Sequence, residues 1–204
     1  MKRLLALFTA LCLGLAMPLA RADADPGYTV VHSYSDFEVR DYAPYLVAEV
    51  VVPGPADEAG NQGFRILAGY IFGKNKGAKK IAMTTPVTQT PVPTKIAMTA
   101  PVTQAAAEDG FVIQFRMPDE FTLDTLPEPL DARVKLREVV PGRLAVIRYS
   151  GTWSEANYDE HLQKLQQAVA AAGLRTTGNP IYSRYNAPFV PWFLRRNEIW
   201  LKVD

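Results

Sequence analysis

The sequence predicts an α+β domain in which duplicated β-β-α-β-β halves form a distorted antiparallel β-barrel flanked by two helices. A stretch from Glu38 through Asp41 to Pro44 resembles the stretch from Lys135 through Glu138 to Pro141, 97 residues later. Each is followed by an apolar strand and then by a segment whose apolar residues recur at helical spacing. One half alone cannot bury the apolar face of its strands, so the two are expected to pack together with a cleft between them.

The elements follow in chain order. Residues 1–22 read as an export signal, because Lys2 and Arg3 precede an apolar run over residues 4–17 that ends near Ala20-Arg21-Ala22. The run is shorter than the roughly 18 to 20 residues of a membrane-spanning helix, so cleavage near Ala22 is preferred over a retained anchor. The folded domain is then residues 23–204, exported and periplasmic. His32 lies in a first strand, with the character of a surface or strand-edge histidine. Residues 38–44 form a strand that turns at Pro44 into a second strand over residues 45–52, expected as a hairpin. A helix over residues 57–72 follows, with Phe64, Leu67, Tyr70 and Ile71 on one face and Gly73 as its stop. Two further strands are expected at residues 80–89 and 111–117. The second half repeats the order. Residues 135–141 and 144–149 form the hairpin, and Ser154 caps a helix in which Tyr158, Leu162, Leu165, Val169 and Ala172 recur at spacings of four and three before Gly173. Strands at residues 181–185 and 198–203 close the domain.

A shorter repeat lies within the first half. Residues 80–89 return as residues 95–104 with only Thr85 changed, to Ala100. The segment between them, Thr90-Pro91-Val92-Pro93-Thr94, can turn one copy back on the other. The duplication reads either as a lengthened hairpin, confined by its prolines to an edge, or as a flap that turns Met83 or Met98 toward a ligand.

Composition limits the function. Removing residues 1–22 takes 22 basic and 21 acidic residues to 19 and 21, a net charge near −2 with no basic block, which argues against nucleic acid as a partner. The single cysteine, Cys12, leaves with the signal, so the mature chain has no disulfide, thiolate nucleophile or zinc-thiolate site. No nucleophile elbow, P-loop or metalloprotease helix is present. The acidic pairs Asp119-Glu120 and Asp159-Glu160 read as a turn and a solvated helix face. A binding protein is expected, not an enzyme, with no catalytic cofactor.

The segments Phe37-Glu38-Val39-Arg40, Ile71-Phe72-Gly73-Lys74-Asn75, the twice-written Lys-Ile-Ala-Met-Thr-x-Pro-Val, Arg133-Val134-Lys135-Leu136-Arg137-Glu138, Tyr185-Asn186 and Arg195-Arg196-Asn197-Glu198-Ile199-Trp200 span nearly the whole mature chain. In their order and spacing they resemble the SOUL haem-binding family, and exported bacterial members in particular. The resemblance implies a distorted barrel with two helices, and haem or a related tetrapyrrole in an apolar cleft between the first helix and the loop before the last strand. On this chain those positions are Asn61, Phe64, Arg65 and Ala68 on the helix, and Phe189, Val190, Trp192 and Phe193 on the loop. Basic residues that meet haem propionates in some members are replaced by Asn61 and Gly69, leaving Arg65 and Arg195 or Arg196, of which the latter two read equally as partners of Glu198 or the helix carboxylates. A histidine proposed as an iron ligand in some members is replaced by Asp41. Iron is normally held by His, Cys, Met or Tyr. His161, beside the core stripe of the second helix, is a candidate ligand whose commoner role is a half-buried histidine bonded to a neighbour. The expected function is thus an exported tetrapyrrole-binding protein that holds its ligand by apolar burial, without a strong axial ligand. The alternatives are a module for another apolar small molecule, an envelope interaction protein using Phe189, Trp192 and Phe193 against a lipid or protein surface, and a haem-modifying enzyme.

Overall fold

The computed structural model describes residues 27–91, 110–186 and 189–204. In chain order the elements are β1 (Tyr28–Ser33), β2 (Glu38–Tyr42), β3 (Tyr45–Pro53), α1 (Ala56–Ile71), β4 (Val87–Pro91), β5 (Gly110–Arg116), β6 (Lys135–Val139), β7 (Gly142–Tyr149), α2 (Glu155–Ala171), β8 (Thr176–Arg184) and β9 (Asn197–Val203), with a 3-10 turn at Trp192–Leu194. The strands form one antiparallel, barrel-like sheet in the order β1-β2-β7-β9-β8-β4-β5-β3-β6.

That order is a palindrome about the β8-β4 junction once β1 is set aside, which is the duplication read from the sequence. The predicted hairpins, however, do not form. β2 pairs with β7, and β3 pairs with β6, so each half donates its first strand to the other half's sheet. The registers match across the repeat, with Arg40 opposite Leu144 and Arg137 opposite Val47. Pro44 and Pro141 mark corners where the chain changes sheet neighbour. The exchange ties the two halves into one continuous sheet, which two local hairpins would not do. The predicted strand over residues 80–89 is also corrected, since it begins only at Val87. Before it, Ile81 donates its amide to Ile71 O at 2.8 Å and buries its side chain in the core against α1. Pro86 has no amide to donate to a ladder. The second copy of the repeat, residues 95–104 with Met98, lies outside the described residues, as do residues 1–22. Met83 is exposed.

Each helix covers one half of the sheet. α1 packs Leu67, Tyr70 and Ile71 on Ala48, Val50, Ile113 and Phe115, while α2 packs Leu165 and Val169 on Ala145, Ile147, Ile199 and Leu201. Gly63 lets α1 approach closely, because a Cβ there would lie 2.4 Å from Ile113 Cγ1. The Ser154 side chain caps α2 by accepting from the Asn157 amide. The turn after α1 is held by buried Asn75, which donates to Tyr70 O and Lys79 O and accepts from Lys79 N.

The sheet face away from the helices is polar at its centre. Glu198 is fully buried, and its carboxylate accepts from Arg40 Nη1 at 3.2 Å, Arg196 Nη2 at 2.8 Å, Tyr185 Oη at 2.9 Å and Trp200 Nε1 at 2.8 Å. Burial, and after it the charge of Glu198, pushes the Tyr185 phenol well above its ordinary value, so it remains a donor.

Candidate functional site

The stem of the loop before β9 is built from this network. On the incoming side, Asn186 Oδ1 accepts from Arg196 N at 2.6 Å, and Tyr185 N donates to Arg196 O at 3.2 Å. On the outgoing side, Asn197 Oδ1 accepts from Trp153 Nε1 at 2.9 Å, and Asn197 Nδ2 donates to Gly151 O. Each residue of the Arg195–Trp200 motif therefore has a structural task, Ile199 by packing in the core under α2. Arg195 lies 4.2 Å over the Trp153 ring and donates to Val190 O, Arg196 and Trp200 serve Glu198, and Asn197 holds Trp153.

The loop so anchored presents its apolar side chains outward. Phe189 is 87 % exposed, Trp192 57 %, Phe193 59 % and Leu194 60 %. Trp192 and Phe193 meet edge to face at 5.4 Å, and Trp192 O accepts from Gly151 N at 3.0 Å. Clusters of exposed large apolar side chains at one place mark binding surfaces more often than isolated ones do.

Beside this loop, between α1 and the β4-β8 junction, is a cavity of about 70 Å³ lined by Gly60, Asn61, Phe64, Val87, Gln89, Ile113, Trp153, Arg184 and Asn186. Phe64 meets Phe115 edge to face at 5.3 Å, which turns its ring to the sheet. Arg184 lies 4.9 Å over the Trp153 ring, and burial, aided by the charge of Arg195, holds its guanidinium below the ordinary value.

The sequence-predicted residues divide. Asn61 and Phe64 line the cavity, and Phe189, Trp192 and Phe193 stand on the adjoining loop, where the Val190 carbonyl is taken by Arg195. Arg65 is turned away, donating to Asn61 O at 3.2 Å beside an open groove with Glu58, Gln62 and Arg133. Ala68 packs into the core of the first half. Arg196 serves Glu198 and does not line the cavity. His161 stacks on Tyr149 at 4.2 Å, and its Nδ1 lies 2.7 Å from Asn157 O, so Nδ1 carries the proton that the carbonyl accepts. It too is not part of the cavity lining. His32 is an exposed strand residue against Tyr34. Sequence reasoning missed Gly60, Gln89, Trp153 and Arg184, whose meeting depends on the β4-β8 pairing of the two halves. Among the described residues no group of three acidic, histidine or cysteine side chains is placed to hold a metal, and no helix is long and apolar enough to cross a membrane.

The family model described as SOUL heme-binding protein matches residues 24–202. This chain belongs to the SOUL heme-binding protein family. Among its relatives, the SOUL protein is 26 % identical to Heme-binding protein 1 of Xenopus laevis over 165 residues, covering 80 % of this chain and 82 % of that one. It is 30 % identical to human Heme-binding protein 2 over 167 residues, covering 81 % and 77 %. An uncharacterized conserved protein from Listeria innocua shares the SOUL fold with a TM-score of 0.62 at 14 % identity, covering 83 % of this chain and 92 % of that one.

Proposed function

We propose that this SOUL protein binds haem or a related tetrapyrrole at the junction of α1 and the loop before β9, and that it holds the ligand without chemically altering it. The observation that carries this reading is the aromatic loop itself. Three rings and a leucine stand more than half exposed on a stem fixed by a buried hydrogen-bond network, beside a cavity of a family whose relatives are named for heme binding. The cavity, at about 70 Å³, is well below the ~300–1,000 Å³ of a pocket that encloses a drug-sized ligand, so the macrocycle would lie across the mouth, covered by Trp192 and Phe193. The lining offers Phe64, Trp153, asparagine, glutamine and arginine side chains, none a usual iron ligand, in keeping with retention by apolar burial. The N-terminal 22 residues support export to the periplasm.

Titration with ferric haem and with iron-free protoporphyrin, followed by absorbance and tryptophan quenching, tests this. Both are expected to bind with similar affinity, and Trp192→Ala is expected to weaken both by about tenfold, as loss of an aromatic anchor does. Absence of saturable binding, or an unchanged affinity in Trp192→Ala, would sink the reading. Binding of the exposed loop to vesicles in place of the porphyrins would favour an envelope contact.

A further inference from the structure

Among the described residues both buried arginines are compensated by carboxylates. Arg40 and Arg196 share the Glu198 carboxylate, and Arg40 also bonds Glu38 at 2.7 Å. Arg184 packs on the Trp153 ring, and no acidic side chain among the described residues pairs with it. None of the cavity's lining residues is acidic. A half-buried cation among Phe64, Ile113, Val87 and Trp153 is an unfavourable arrangement unless an anion joins it. We propose that this cavity is a carboxylate site, in which Arg184 receives the acid arm of an amphiphilic ligand whose apolar body lies on the aromatic loop.

Two further features fit. A Cβ at Gly60 would come within 3.3 Å of Arg184 Nη1 and 2.9 Å of Gln89 Oε1, so the glycine keeps the approach to the guanidinium open. The cavity volume of about 70 Å³ matches roughly two water molecules, the scale of a short acid arm and not of a ring system. Planar guanidinium suits the carboxylate by a forked pair of hydrogen bonds, and the Trp153 face behind it fixes its plane. For a tetrapyrrole the arm would be a propionate, and in that respect the proposal rests on the function proposed above. It assigns to β8 the task that the helix positions Asn61 and Gly69 do not perform.

The test uses protoporphyrin and its dimethyl ester, with 3-phenylpropionate and 3-phenylpropanol as probes that need no macrocycle, all read by tryptophan fluorescence. The native protein should prefer each acid over its neutral counterpart by roughly 10- to 100-fold, the scale of a charge-assisted hydrogen bond. Arg184→Met should abolish the preference. Gly60→Ala, which suits a helix and leaves the charge in place, should reduce it, and equal melting curves would show that both variants fold. Equal binding of protoporphyrin and its ester would overturn the carboxylate site and leave the tetrapyrrole reading intact. An Arg184-dependent preference for 3-phenylpropionate, with no porphyrin bound, would uphold the site and reject the tetrapyrrole. Binding of no probe would reject both.

Discussion

Glu198→Gln should lower the thermal stability of this protein by several degrees. The carboxylate is fully buried and accepts from four side chains, two of them guanidinium groups. The amide removes the charge that both arginines face and puts a donor where two donors already point. If its oxygen stays with Arg196, its NH2 group meets Tyr185 Oη and Trp200 Nε1, and the reverse orientation sets it against Arg196 Nη2. Removing one partner of a buried ion pair destabilises by about 3–5 kcal/mol, and the lower end applies here because Arg40 keeps Glu38. At about 2–4 °C per kcal/mol for a domain of this size, the midpoint falls by about 6–12 °C. The assay is a far-ultraviolet circular dichroism melt at neutral pH. The stem of the aromatic loop hangs on the same network, so Trp192 fluorescence should lose anisotropy in the variant. A midpoint within about 3 °C of the parent would refute the reasoning, since the arginines would then be satisfied without the carboxylate.

Two other predictions are structural. Gly63→Ala gains about 1 kcal/mol of helix propensity, yet its Cβ would meet Ile113 Cγ1 at 2.4 Å and Cβ at 2.7 Å, so overpacking of about 1–3 kcal/mol dominates and the melting midpoint should fall by a few degrees; a rise would show that α1 can move off the sheet. Asp131 accepts from Arg133 Nε at 3.0 Å and Nη2 at 2.6 Å, and those hydrogen bonds hold its carboxyl down to about 2. Its folded value lies below the unfolded one, so its stabilisation is present above about pH 4 and is lost as pH falls toward about pH 2. The difference in melting midpoint between the parent and Asp131→Asn should stay constant from neutral pH to about pH 4 and then shrink, and a difference that grows on acidification would reverse the sign assigned to this pair.

Much of the fold was legible because its signals are local. α2 announced itself through Ser154, a stripe at spacings of four and three, and Gly173, and each is a property of one helical segment. The duplication was visible in the letters at Glu38 and Lys135 because both copies kept their pattern of charge and proline. Phe189, Trp192 and Phe193 were marked as loop residues by the prolines among them, while their exposure was known only from the structure. A pairing of Arg196 with Glu198 was within reach of the sequence and it forms, whereas the share that Arg40 takes in the same carboxylate gave no such signal. On a strand, residues two apart share a face, but whether that face meets solvent or a buried Arg40 depends on a strand 158 positions distant.

By itself, then, the sequence determined the fold class, the two amphipathic helices and the aromatic character of the loop, which rest on periodicity, caps and turn chemistry within short windows, and it pointed to the family through a resemblance of motifs spread over nearly the whole chain. Only the tertiary structure decided that the paired strands are exchanged between halves, that Arg196 is engaged internally while Arg184 faces a cavity, and that Trp153 joins the loop to it. The physical reason is that a guanidinium is the same group in every local sequence, and its role is set by which carboxylate the long-range strand pairing brings to it and which it does not.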